Sequence, residues 1–250
     1  MKQAFIKNLT TVLASLLTIS FAQASVITNN SHADGTSGST PLVAPWMANF
    51  TTVNDVLIGL STGNGGISNV TQGGGGFSSF GQQGPNAGIG DINDGAVPGF
   101  TNVSGSFGMF ASVGSTDGGL TMTFNLASPT QLTEIQYIGG WGDSGRDELS
   151  FSVSYSTDNG LSFTPYDTVL YNPSTTGLQS SNFSDITDSS GTIGNGAVIT
   201  NLQFTFNATE NGYGGLEEIA AYGVPEPSTI ALGLSGALVL GLCLFRRRLV

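Results

Sequence analysis

Cysteine, histidine and positive charge are almost missing from this chain, and each shortage removes a class of function. The one cysteine, Cys243, lies in an apolar run near the C-terminus and has no second cysteine to pair with. Cysteine nucleophiles and cysteine-rich metal sites are therefore excluded from the body. The one histidine, His32, stands in a Ser/Asn/Gly-rich stretch. A hydrolytic triad needs a base beside a nucleophile, and zinc sites usually need several His or Cys, so neither can be assembled around it. Its neighbours imply an ordinary surface position in a flexible segment.

Lys and Arg number six against 17 Asp and Glu, and five of the six stand near the ends: Lys2, Lys7, Arg246, Arg247 and Arg248. Between residues 25 and 223 the only cation is Arg146, set among 16 acids for a net charge of −15. Nucleic acids and anionic lipids are held by Lys and Arg that neutralise phosphate, so a nucleic-acid partner is excluded. A surface of carboxylate and carbonyl oxygens can instead hold a hard cation such as calcium, or serve solubility alone.

Both ends read as address labels. Lys2 and Lys7 precede an apolar stretch over residues 9–21 and a small-x-small site, Ala22-Gln23-Ala24, the layout of a secretory signal peptide cut after Ala24. As a transmembrane helix that stretch is too short for about 30 Å of hydrocarbon. Export without disulfides points to a bacterial secreted protein held by the size of its core, with or without a metal. At the other end Val224-Pro225-Glu226-Pro227 leads into 16 apolar residues, 230–245, and then Arg246, Arg247 and Arg248. Such a run spans about 24 Å as a helix, a marginal membrane span with its basic end held inside. The prolines keep the motif out of that helix and extended beside the bilayer. Hydrophobicity and charge alone do not separate this from a plain tail anchor.

The body divides by texture. Residues 25–90 are rich in Gly, Ser, Thr and Asn, which favour loops and turns, and they include a run of four glycines without any fixed repeat. Residues 55–60 form a short apolar piece that suits a strand. Residues 91–223 carry period-two alternation over 119–126 and 131–138, and a hairpin pattern over 148–166 turning at Asn159-Gly160. Further strand patterns cover 197–206 and 216–222, with no convincing amphipathic helix. The expected fold is all-β, an antiparallel sandwich or jelly roll.

Three clusters could carry chemistry. Asp91-Ile92-Asn93-Asp94-Gly95 alternates oxygen side chains before a turn glycine, which suits either a cation loop or an Asx turn. Trp141 and Arg146 could form a sugar platform, the ring stacking on a pyranose and the guanidinium donating to hydroxyls. Equally, Arg146 could pair with Asp143 or Asp147 while Trp141 packs inward. Asp143, Asp147 and Glu148, or Glu217 and Glu218, could supply the two carboxylates of a glycosidase, although loop acids are usually only solvated.

Asp91-Ile-Asn-Asp-Gly, Leu132 onward, Trp141-Gly-Asp-x-Gly-Arg, Val153-Ser-Tyr-Ser-Thr-Asp-Asn-Gly and Gly215-Leu-Glu-Glu-Ile together resemble the galactose-binding-like, discoidin-type jelly roll. That resemblance implies a structural calcium between Asp94 and Glu218, with Asp91 and Asn93 as further ligands. The tail resembles the PEP-CTERM sorting signal of Gram-negative bacteria, which implies recognition by an exosortase-type membrane protease and delivery to the cell surface or extracellular polymer matrix. The expectation is a non-catalytic, calcium-stabilised, carbohydrate-binding surface protein. A secreted glycan-active hydrolase and a purely structural matrix protein are the alternatives.

Overall fold

The computed structural model describes residues 24–35, 42–47, 50–61, 64–68, 80–82, 92–97, 111–113, 120–141, 147–174, 179–207 and 215–224. Residues 1–23 and 225–250 of the two address segments lie outside them, as do Asp91, Asp143 and Arg146. No helix among the described residues is long and apolar enough to cross a membrane.

Eleven strands are described: β1 (Val26–Gly35), β2 (Ile67–Ser68), β3 (Phe80–Gln82), β4 (Ala111–Val113), β5 (Leu120–Thr130), β6 (Leu132–Trp141), β7 (Leu149–Ser156), β8 (Thr164–Tyr171), β9 (Gln179–Asp188), β10 (Ile199–Phe206) and β11 (Gly215–Gly223). They form a six-stranded sheet, β1-β9-β6-β11-β4-β3, and a five-stranded one, β2-β5-β10-β7-β8. Every ladder is antiparallel.

The alternation that marked the strands is the alternation that fills the core. Ile135 and Tyr137 of β6 face Phe151 of β7 and Phe204 of β10, all buried between the two sheets. Tyr137 stacks on Phe151 with centroids 4.3 Å apart, and Phe124 meets Phe204 edge-on at 5.9 Å. Each such side chain contributes roughly 1.5–3 kcal/mol relative to exposure, so this aromatic cluster carries much of the sheet-to-sheet adhesion. The β7–β8 hairpin turns where Asn159-Gly160 indicates, with φ of 59° and 81°. Asn and Gly tolerate those positive φ values, and the connection around them runs over residues 157–163, longer than a two-residue turn.

The sandwich also reaches back into the Gly/Ser/Asn-rich segment. β1 pairs with β9 from Val26↔Asp188 to Gly35↔Gln179. A division at residue 91 is therefore no boundary of the sandwich. Residues 55–60, read as a strand, instead form turns joined to β11 by a single bridge, Asp55↔Tyr222. The outer face of the six-stranded sheet is covered by Ala44 and Met47 packed on Ile138, with Trp46 stacked on Phe183 at 5.8 Å. Burying apolar side chains on that face fastens the early chain to the sheet.

Candidate functional site

Three segments converge beside the middle of β11. Asp55 Oδ1 accepts from the amides of Leu57 at 2.9 Å and Ala221 at 3.2 Å, which ties the 55–60 turn to the last strand. Asn93, fully buried, donates through Nδ2 to the carbonyls of Leu57 and Leu60, and its own carbonyl accepts from Gly59. Gly95 donates its amide to Glu218 Oε1 at 3.3 Å, and Asp94 Oδ1 accepts from Ala96 N at 2.7 Å in an Asx turn. Gly95 has φ +80°, and a Cβ there would stand 2.3 Å from Thr52 Cγ2, so both the backbone and the space require glycine.

The electrostatics are lopsided. Glu218 is fully buried, and its Oε2, like Asp55 Oδ2 and Asn93 Oδ1, has no hydrogen-bond partner. Burial pushes the Glu218 carboxyl up to about 9, the Asp94 carboxylate pushes the same way, the Gly95 amide opposes, and Asp55 and Glu217 add to the rise. Burial likewise raises Asp55 to about 6, against the Leu57 and Ala221 amides. Buried acceptors are normally satisfied, because leaving one unmade costs roughly 1–3 kcal/mol. Three orphaned oxygens on three adjoining segments, with no Lys or Arg among the described residues to neutralise them, fit a hard cation.

Of the four residues expected to hold calcium, the fold brings Asp94 and Glu218 together through Gly95. Asn93 lies beside them but spends its amide on the 57–60 turn. Asp91 lies outside the described residues. Among the described residues no three His, Cys, Asp or Glu side chains are grouped to hold a metal, so a cation here would draw on Asn93 and main-chain oxygens as well. Asp55 was missed by sequence reasoning. Its signal was an acid heading an apolar piece, Asp55-Val-Leu-Ile, where a strand reading expects none.

A second cluster lies at the Trp141 end of the six-stranded sheet. Trp141, the last residue of β6, is level with Ser180 of β9, which is level with Asp34 of β1. Asn182 donates to the carbonyl of Asp147 and lies 3.5 Å from its Oδ2. His32 sits half-buried in a strand, in contrast to the flexible surface position expected. Its Nδ1 is 2.6 Å from Asn182 Oδ1 and its Nε2 2.9 Å from Asp34 Oδ1. Asp147 is itself buried, which marks it as a structural acid at this end. Arg146 adjoins this cluster in sequence.

Comparison with known proteins bears on both ends of the question. Residues 223–248 match the PEP-CTERM protein-sorting motif, which marks an exported chain sorted through its C-terminal signal. The match begins on the last residue of β11. Among solved structures, the chain is similar to chitosan-binding module 1 of a chitosanase/glucanase from Paenibacillus sp. IK-5, with 14% identity, 54% of this chain and 83% of that one covered, and a TM-score of 0.35. It is also similar to CBM32-3 of a family 31 glycoside hydrolase from Clostridium perfringens, with 13% identity, 73% and 100% coverage and a TM-score of 0.39. The CBM32 of AlyQ, solved with 4,5-unsaturated mannuronic acid, gives 14%, 45% and 77% coverage, and 0.30. No curated protein sequence matches the chain.

Proposed function

We propose that this is an exported surface protein of a Gram-negative bacterium whose tail is read and removed by an exosortase-type membrane protease, delivering a jelly-roll body to the cell surface or extracellular matrix. The observation that carries the reading is the sorting motif joined directly to the last strand of a folded sandwich. Val224, Pro225, Glu226 and Pro227 form the recognition element, and Arg246, Arg247 and Arg248 the cytoplasmic stop. Mass spectrometry of the mature protein from a host with such a protease tests it. The expected product lacks residues 230–250, and an intact tail would restore the plain anchor.

The body is read as non-catalytic. A structural calcium at Glu218, Asp94, Asn93 and Asp55, with Asp91 adjoining, would neutralise the buried carboxyl and fix the 92–97 loop on β11. Extracellular polysaccharide is the ligand class for the end where Trp141 closes β6 and Arg146 precedes Asp147. A glycosidase reading weakens on Asp147, which is buried and engaged by Asn182 and so is poorly placed to meet a substrate.

A further inference from the structure

Both ends of the described chain lie at one pole of the sandwich. β1 starts at Val26 beside Asp188, the last residue of β9, and β11 ends at Gly223 beside Leu132, the first of β6. Only β9 and β6 separate β1 from β11, which puts the two exits about 14 Å apart at about 4.8 Å per strand. The chain is still fastened at the exit: Val224 donates to Gln131 O at 2.9 Å, and Gly223 to Asn54 O at 2.9 Å. No linker therefore intervenes between the sandwich and a motif that begins at residue 223. From Val224 the chain needs six steps to reach Ile230, where the apolar run begins, and six extended residues reach about 22 Å at most.

Exposed apolar side chains stand at this pole where the chain leaves, alongside the solvent-accessible carboxylate of Asp158 in the hairpin turn. Leu161 at the hairpin tip, Val198 before β10 and Val53 beside Asn54 are 88%, 50% and 67% exposed. Beside Gly223 and Val224 lies a cavity of about 300 Å³ whose lining, including Asn54, Ala127, Ser128 and Thr130, has no charged residue.

Resting on the reading of residues 230–245 as a membrane helix, we propose that this pole is a lipid-facing surface. Before the tail is removed the sandwich stands on the bilayer with Leu161, Val198 and Val53 at the contact. The lack of Lys and Arg directs it to zwitterionic headgroups, since anionic ones are recognised by basic side chains. β6 runs from Leu132 to Trp141, so the Trp141 end is held about 30 Å from the contact.

The β7–β8 hairpin provides the ruler for a test. Leu161 and Leu170 are 88% and 70% exposed and lie at opposite poles of one hairpin, so a label at either leaves the core untouched. The full chain carrying Cys243→Ser is reconstituted into phosphatidylcholine vesicles and labelled with a fluorophore at Leu161→Cys or at Leu170→Cys. Lipids with a headgroup nitroxide are expected to quench the label at 161 and to leave the label at 170 bright. Equal quenching, or stronger quenching at 170, overturns the proposal. So does quenching at 161 that appears only when the processing protease is also in the vesicles, because the pole then faces a protein. Flotation separates the two readings: a chain that fails to float with the vesicles removes the membrane helix itself, whereas a floating chain with a bright 161 label removes only the lipid-facing surface.

Discussion

Gly95 N and Glu218 Oε1 are joined at 3.3 Å across 123 residues of sequence, and around that bond three unpartnered buried oxygens gather. That bond is long, and a divalent cation binding both the loop and the carboxyl would tighten the contact.

Calcium is therefore expected to raise the melting temperature of the purified body. At 100-fold excess over Kd, linkage gives about 2.7 kcal/mol, or roughly 5–10 °C for a domain of this size. Glu218→Gln keeps the shape but removes the charge, and should abolish that rise. Scanning calorimetry with and without EDTA reads both. A wild-type melting temperature indifferent to EDTA would remove the assignment.

Gly95→Ala should destabilise by about 2 kcal/mol or more, since it adds a clash with Thr52 to the cost of a positive φ. Gly59 also has positive φ, at +71°, but nothing lies within 4 Å of an added Cβ. Gly59→Ala should then cost only about 1–2 kcal/mol. Urea titration of the two variants checks the order, and equal losses would show that the Thr52 contact relaxes freely.

Stability should fall as pH rises through neutrality, even without metal. Asp185 is raised to about 7 by burial, by the charge of Glu134 and by a hydrogen bond to Glu134. A carboxyl raised on folding binds its proton more tightly in the native state. Its contribution is thus complete below its ordinary value of 3.8 and is lost as pH climbs through about 7. In EDTA, the melting temperature should be lower at pH 8 than at pH 5.5, and Asp185→Asn should flatten part of that slope. An unchanged slope in the variant would assign the effect to other groups.

Trp141→Ala should weaken polysaccharide binding about tenfold, if ring stacking supplies roughly 1.4 kcal/mol, while leaving the melting temperature in place. Affinity electrophoresis in acidic and neutral polysaccharide gels measures the first, and thermal melting the second. A large drop in melting temperature would instead make the ring part of the core.

How much was legible follows from where the apolar residues fall. β5, β6, β7 and β10 could be read because Phe, Ile, Val, Leu and Met mark their inward faces largely every second residue, and β11 because it is a short apolar run. β1 and β9 were silent. Of the buried positions on β9 only Ile186 is apolar, beside Gln179, Ser180, Ser181, Asn182, Ser184 and Asp188, and β1 carries Asn29, Asn30, Ser31 and His32, so neither shows an apolar stripe. They are strands because each finds the other, and β9 finds β6, over long ladders. The candidate cation site was half visible. Asp94, Gly95 and Glu218 announced themselves by local pattern and resemblance, whereas Asp55 joined only through contacts with Ala221 and Tyr222.

What the amino-acid sequence determined by itself is whatever depends on neighbours along the chain: the sorting motif, the hairpin turn at Asn159-Gly160, the excess of acid and the alternation of the central strands. Only the tertiary structure decided that the glycine-rich early chain completes the sheet, that Asp55 meets Glu218's strand, and that the tail leaves from the pole opposite Trp141. Those relationships rest on ladders and burial between residues far apart in sequence, where the pairing partner, and not local propensity, sets the outcome.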